Sequence, residues 1–206
     1  MCEVFLTPGI SLQEIVQNGK HQNLDLLLSN IQDLLAEQTV NKIAADYYHI
    51  SQWLEQNASS DYEFIIIDAP ASTSPISINA MLAADLIIVP LECEALAIKS
   101  LKRFLQAFKE LQKNIEPGLR LAGILLTMYD DEILSHQQVC RQIYQTLGDS
   151  VFETIIPNCP YILEASSMGI DVIQRHLNSE GATGYIRLAN ELLDRFLLPK
   201  FEEASQ

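Results

Sequence analysis

Short apolar runs alternate with longer stretches of helical spacing along most of the chain. The run at residues 64–67 is Phe-Ile-Ile-Ile, and it ends at Asp68 and Pro70. A short apolar run that is rich in Ile and bounded by turn residues is typical of a strand buried in a parallel sheet. The pattern therefore predicts a strand across residues 62–70 with the Asp68 carboxylate at its carboxyl end.

The same reading predicts further strands at residues 23–29, 86–90, 121–127 and 151–157. Helical spacing is present at residues 12–16, 31–37, 41–54, 76–84 and 180–197, and in a long helix that ends before Pro117. A capping box at Ser135 and Gln138 predicts one more helix, which continues to Gly148. Alternating strands and helices predict an α/β fold, mostly a parallel sheet flanked by helices, in a single domain over residues 1–206.

Composition supports a globular, intracellular protein. Hydrophobic residues make up 48% of the 206 positions and charged residues 19%, which excludes a disordered chain. No apolar run is as long as a membrane span and no secretory leader opens the sequence, so we expect a cytoplasmic protein that does not bind membranes. The four Cys form no Cys-x-x-Cys pair, which favours reduced thiols over a zinc site.

The strongly negative net charge of the chain disfavours nucleic-acid binding. Thirteen basic residues stand against twenty-seven acidic ones, a formal net charge of −14, and such a chain is repelled by phosphate backbones. The long helix nevertheless has a basic face, formed by Lys99, Lys102, Arg103, Lys109 and Lys113. That face is either a DNA or lipid surface or, as we expect, a solvated face whose Lys stems cover the edge of the core.

Asp68 is the candidate metal ligand, because a carboxylate at a strand end suits Mg²⁺, which takes one or two carboxylates together with phosphate oxygens and water. The other interpretation is that Asp68 caps the next helix.

Several segments of the chain follow one another in a recognisable order: residues 64–70, 78–90, 92–94, 123–130, 151–157, 164–169 and 181–185. In order and spacing they resemble the ParA/MinD-like partition ATPases, closest to the ParA side, over about residues 23–197.

The resemblance implies a P-loop NTPase-like fold of the deviant Walker A class and Mg²⁺-dependent ATP hydrolysis. It implies a dimer closed around ATP, nonspecific DNA binding, and a ParB-like or adaptor partner that stimulates hydrolysis. Asp68 matches the family's Walker B carboxylate near Mg²⁺. Thr127, Pro157 and Asn158 match positions where the family's chain approaches the nucleotide base.

The sequence departs from the family at the phosphate loop. A phosphate loop needs Gly-x-x-x-x-Gly-Lys-[Ser/Thr], because glycines let backbone N–H groups close around phosphates. The one Gly-Lys pair here, Gly19 and Lys20, is followed by His21. We therefore expect the family's first strand, phosphate loop, first helix and second strand to be absent, together with the water-orienting Asp that follows the second strand, as in a chain truncated at its N-terminus. Without the first strand, residues 64–67 would have an unpaired apolar edge.

Two departures also disfavour DNA binding. Residues 158–163 carry no basic side chain where the family usually has Arg, and Asp131 and Glu132 follow Asp130 where the family commonly has Arg near its dimer contact. Three hypotheses remain open. The chain is a partition or positioning ATPase that has lost its phosphate loop, a noncatalytic pseudo-ATPase that pairs with a full-length ParA-type relative or an adaptor, or a decayed gene product.

Overall fold

The computed structural model describes residues 4, 6–7, 9–19, 21, 23–29, 34–58 and 62–197. The chain divides into two compact units. The first comprises Met1–Leu86 and Glu110–Arg120, and the second comprises Ile87–Lys109 and Leu121–Gln206. The single domain expected from the sequence stays a prediction.

The first unit is mainly helical. Its elements are α1 (Leu12–Ile15), β1 (Gln17–Asn18), β2 (Asp25–Leu26), α2 (Leu34–Ile43), α3 (His49–Asn57) and α4 (Pro75–Leu82). β1 and β2 form a short antiparallel pair. Of the strand predicted at residues 23–29, only Asp25 and Leu26 form a strand, so the prediction is wrong for the other residues. The helix predicted over residues 41–54 is also two helices, α2 and α3, which are separated by a turn.

The second unit contains the parallel sheet. Its elements are β3 (Ile87–Glu92), α5 (Ala95–Asn114, which continues into the first unit), β4 (Leu121–Thr127), α6 (Leu134–Leu147), a 3₁₀ turn (Gly148–Ser150), α7 (Pro160–Ser167), α8 (Val172–Arg175), α9 (Glu180–Leu192) and a π-helical turn (Leu193–Leu197). β3 and β4 pair in parallel from Ile87 with Leu121 to Glu92 with Thr127. Residues 151–157 lie along the other side of β4 and form parallel bridges between Ile124 and Val151 and between Tyr129 and Pro157. The predicted α/β class is confirmed.

Each unit has its own buried core. In the second unit the strands pack against the apolar faces of α5 and α6, through Leu91, Ile124, Leu126, Leu101, Val139 and Ile143. In the first unit α2, α3 and α4 meet around Val40, Ala44, Ile50 and Ala80. Leu101, Phe108 and Leu111 are buried along α5, as the helical spacing predicts. The five bases Lys99, Lys102, Arg103, Lys109 and Lys113 are exposed.

Helix starts differ from the sequence prediction. α6 begins at Leu134, and its N-cap, Ile133, has no side chain that could bond the first turn, so the capping box at Ser135 is wrong. A capping box is instead present at α1, where Glu14 Oε2 accepts from the Ser11 N–H at 2.8 Å. No helix within the described ranges is long and apolar enough to cross a membrane.

Candidate functional site

The stretch before Asp68 is extended but unpaired. Residues 64–67 form no strand and make no backbone hydrogen bond to another strand of the described chain. Ile66 is 93% exposed and Phe64 is 56% exposed, whereas Ile67 packs against the core of the first unit. The predicted buried strand is therefore wrong for the described chain, in which residues 64–66 are exposed. The physical reason is that no described segment lies beside these residues to take up their N–H and C=O groups.

Asp68 is exposed at the end of this stretch. The helix that follows, α4, has Ser74 as its N-cap, with Ser74 Oγ accepting from the Ser77 N–H at 3.5 Å, and Pro75 in its first turn. Ser77 Oγ in turn donates to the Pro70 carbonyl at 3.1 Å. The alternative role of Asp68 as a helix cap is therefore excluded, and its carboxylate remains exposed to solvent.

Three predicted base-side residues come together in the second unit. Thr127 is the last residue of β4, and its carbonyl accepts from the Cys93 N–H at 3.2 Å. Pro157 bridges to Tyr129, and the Asn158 N–H donates to the Tyr129 carbonyl at 2.7 Å. These residues therefore lie at the carboxyl ends of neighbouring parallel strands, the edge where ligands bind in open α/β sheets. Asp68 belongs to the other unit.

Sequence reasoning missed Met128. It follows Thr127 with φ of 55°, a left-handed conformation that is uncommon for residues other than Gly, Asn and Asp. Its side chain is 50% exposed. This turn lets Tyr129 pair again with the neighbouring segment, with its N–H donating to the Ile156 carbonyl at 3.2 Å. Strain of this kind clusters at binding sites, and a Met carries no sequence signal for it.

The thiol at the same edge is a packing group. Cys93 follows β3, is fully buried, and contacts the core that contains Leu101 and Leu126. Burial, with a smaller contribution from Cys140, raises the pKa of the Cys93 thiol to about 11. Cys93 is therefore protonated at neutral pH and is unsuited to act as a nucleophile.

Gly19 is not part of a phosphate loop. Gly19, the candidate glycine, donates its backbone N–H to the Leu24 carbonyl at 2.7 Å, and a Cβ at this position would overlap that carbonyl oxygen. The glycine therefore closes a hairpin turn and has no N–H group to offer to a phosphate. In the part of the chain that the structure covers, no three His, Cys, Asp or Glu residues cluster as metal ligands. Asp68 fits Mg²⁺ only as one carboxylate among ligands from elsewhere.

The parallel strands with polar residues at their carboxyl ends define an α/β protein with a candidate ligand-binding edge. An AAA-domain family profile matches residues 1–121. The chain is 40% identical over 134 residues to the chromosome-partitioning ATPase Soj of Thermus thermophilus, covering 65% of this chain and 54% of Soj. It is 32% identical over 160 residues to the chromosome partitioning protein ParA of Caulobacter vibrioides, covering 77% of this chain and 60% of ParA.

Among solved structures, the cobyrinic acid a,c-diamide synthase of Mycobacterium smegmatis, with bound ATP analogue and magnesium, matches with a TM-score of 0.74 at 26% identity, covering 93% of this chain and 70% of that one. This chain therefore belongs to the ParA/MinD-type partition ATPase family. It spans little more than half the length of the two curated relatives.

Proposed function

We propose that this chain is a partition or positioning component of the ParA type, acting in the cytoplasm on a chromosome, a plasmid or another cargo. Within the first unit the Asp68 carboxylate is the candidate Mg²⁺ ligand, and within the second unit Thr127, Pro157 and Asn158 are the candidate residues for contact with a nucleotide base. The phosphate loop comes from polypeptide outside this sequence. The observation that carries this proposal is the unpaired stretch at residues 64–67, which presents an apolar edge and ends at an exposed carboxylate.

A titration of the purified chain with Mg²⁺-ATP in a calorimeter tests the first part. We expect no measurable binding, because the printed sequence contains no Gly-x-x-x-x-Gly-Lys-[Ser/Thr] loop to hold the phosphates. The same titration is then made on the chain preceded by a strand and a Lys-Gly-Gly-x-Gly-Lys-Thr loop taken from a ParA-type relative. We expect micromolar Mg²⁺-ATP binding to appear. Micromolar binding by the chain alone would contradict the proposal.

The Asp68→Asn variant of the extended chain tests the metal role. We expect it to lose the dependence of ATP binding on Mg²⁺, because the amide is a poorer ligand for a hard cation. Asp85→Asn is the matched control, since Asp85 is an exposed carboxylate of the same unit. Equal Mg²⁺ dependence in both variants would remove Asp68 from the site. A nucleotide sequence upstream of Met1 that encodes a phosphate loop in the same reading frame would support an ATPase formed by one polypeptide.

A second candidate is a noncatalytic module that forms a homodimer, or a dimer with a full-length ParA-type chain or an adaptor. The exposed Phe64 and Ile66 side chains favour it, because an unpaired apolar edge promotes association. Sedimentation of the chain with a full-length relative, with and without the Ile66→Lys substitution, tests it. A complex that Ile66→Lys abolishes supports this candidate, and the absence of any complex with the unsubstituted chain rejects it.

A further inference from the structure

The outer side of the sheet in the second unit has an unusual boundary. The Phe152 N–H donates to the Ile124 carbonyl and the Ile156 N–H to the Leu126 carbonyl, both at 2.9 Å. Between these two bonds the segment advances four residues while β4 advances two, so residues 153–155 bulge away from β4. No described strand pairs with the far side of this segment. It is therefore an edge of the sheet, with a bulge at its centre.

A side chain of α9 occupies that edge. The Glu153 N–H donates to Glu191 Oε1 and the Thr154 N–H donates to Glu191 Oε2, each at 2.8 Å. Successive N–H groups of a regular strand point to opposite sides, but the bulge turns both of these N–H groups toward the Glu191 carboxylate, which accepts from both. Glu191 thus satisfies two N–H groups of the bulge that do not pair with β4, and it places a charged side chain on the edge.

Glu191 is itself held in place. Arg195 approaches Glu191 Oε1 at 2.6 Å, and the same guanidinium lies 5.4 Å from the centre of the Phe152 ring. The Glu191 side chain is only 12% exposed. Burial acts to raise its pKa, but the hydrogen bonds from Thr154 and Glu153 and the nearby Arg195 outweigh burial, so the pKa is lowered. The Glu191 carboxylate is therefore charged at neutral pH, and each of its two oxygens accepts a hydrogen bond from a backbone amide.

The helix changes its winding where Arg195 lies. α9 ends at Leu192, and residues Leu193–Leu197 form a π-helical turn. Such turns are rare and often occur at functional positions. In this chain the wider turn coincides with the contacts of Arg195 to Glu191 and Phe152. The bulge, the bridging carboxylate and the π turn therefore meet at one edge.

We propose that the Glu191 carboxylate blocks this edge. It prevents a second copy of the chain from pairing its residues 153–156 with the same residues of the first copy. Native sheets protect open edges with bulges and with charged side chains that point at the edge. A second copy is the occupant that is kept out, because two identical edges can pair about a two-fold axis without any further partner. Loss of Glu191 frees two adjacent N–H groups, removes a negative charge from the edge and releases the bulge.

The test compares Glu191→Ala with Asp194→Ala. Asp194 is an exposed acid that lines a surface groove together with Glu153, Thr154 and Glu191. All proteins carry Ile66→Lys, so that the open stretch at residues 64–67 does not contribute to association. Sedimentation velocity gives the mass, and amide hydrogen exchange reports on Glu153 and Thr154. With Glu191→Ala we expect at least about tenfold faster exchange at both amides and a dimer whose fraction rises with concentration. Asp194→Ala should keep the exchange rates and the mass of the parent.

Glu191→Gln is measured in parallel in case Glu191→Ala does not fold, because Gln keeps the volume and offers one acceptor oxygen. We expect the same direction with a smaller increase in exchange. A variant that loses protection at both amides but remains a monomer at every concentration overturns the proposal. Full-rate exchange of the Glu153 and Thr154 amides in the parent protein overturns it as well, whatever the variants do.

Discussion

At the scale of single residues, buried polar side chains hold separate segments together. Asn79 on α4 is fully buried, and its Oδ1 accepts from the Ile50 N–H at 2.8 Å. Its Nδ2 donates to the carbonyls of Ala44 at 3.2 Å and Asp46 at 2.6 Å. One amide thus satisfies three backbone groups at the turn between α2 and α3. This turn is where the sequence predicts an unbroken helix.

We expect Asn79→Leu to lower the free energy of unfolding by about 3 kcal/mol, because it leaves buried N–H and C=O groups without partners. Urea unfolding monitored by circular dichroism measures the change. Asn114→Ala is the control, since its Nδ2 bonds Glu110 on an exposed helix face, and we expect less than about 0.5 kcal/mol. Equal losses in the two variants would show that the Asn79 bonds are not what fixes the turn.

The carboxylate of Glu191 makes stability depend on pH. Its pKa is lowered in the folded protein from the ordinary value of 4.5, so the unfolded chain takes up the proton at a higher pH. Its contribution is therefore complete above 4.5 and is lost as pH falls through the folded pKa. At pH 7 we expect Glu191→Gln to cost about 2 kcal/mol. Unfolding by urea at pH 7 and below pH 4 should show that the cost shrinks on acidification, whereas a constant cost contradicts the assignment.

At the scale of elements, helix starts are set by side chains that sequence patterns identify incompletely. Ser179 precedes α9, and its Oγ accepts from the Ala182 N–H at 3.2 Å. Ser135 fits the sequence pattern of a cap but lies one residue inside α6. The pattern fails there because α6 begins two residues earlier than a cap at Ser135 would place it, with Ile133 as its N-cap.

We expect Ser179→Ala to lower the free energy of unfolding by about 1 kcal/mol, the usual cost of removing an N-cap. Ser135→Ala is the matched control and should change it by less than about 0.5 kcal/mol. Thermal unfolding followed by calorimetry compares the two. A larger loss from Ser135→Ala would mean that the sequence pattern identified the working cap.

At the scale of the whole molecule, the sequence predicts what is local and misses what depends on distant partners. The apolar runs of β3 and β4 predict two strands and the position of Thr127, because burial between helices leaves a continuous apolar pattern. The similar run at residues 64–67 is exposed instead, since its composition does not record whether a neighbouring strand is present. The bonds that the Glu153 and Thr154 amides donate to Glu191 and the left-handed turn at Met128 have no local signature either.

The negative net charge of the molecule disfavours binding to polyanions such as DNA. The net charge is −14, and the bases on the outer face of α5, Lys99, Lys102, Arg103 and Lys109, are exposed within a field that repels polyanions. We expect no binding of random duplex DNA at physiological salt up to about 100 µM protein, measured by fluorescence anisotropy. A variant with Lys102→Glu and Arg103→Glu should give the same flat curve. Binding that weakens with added salt and disappears in the variant would instead identify α5 as a nucleic-acid surface, because each phosphate that a base neutralises adds about one unit to the salt dependence of binding.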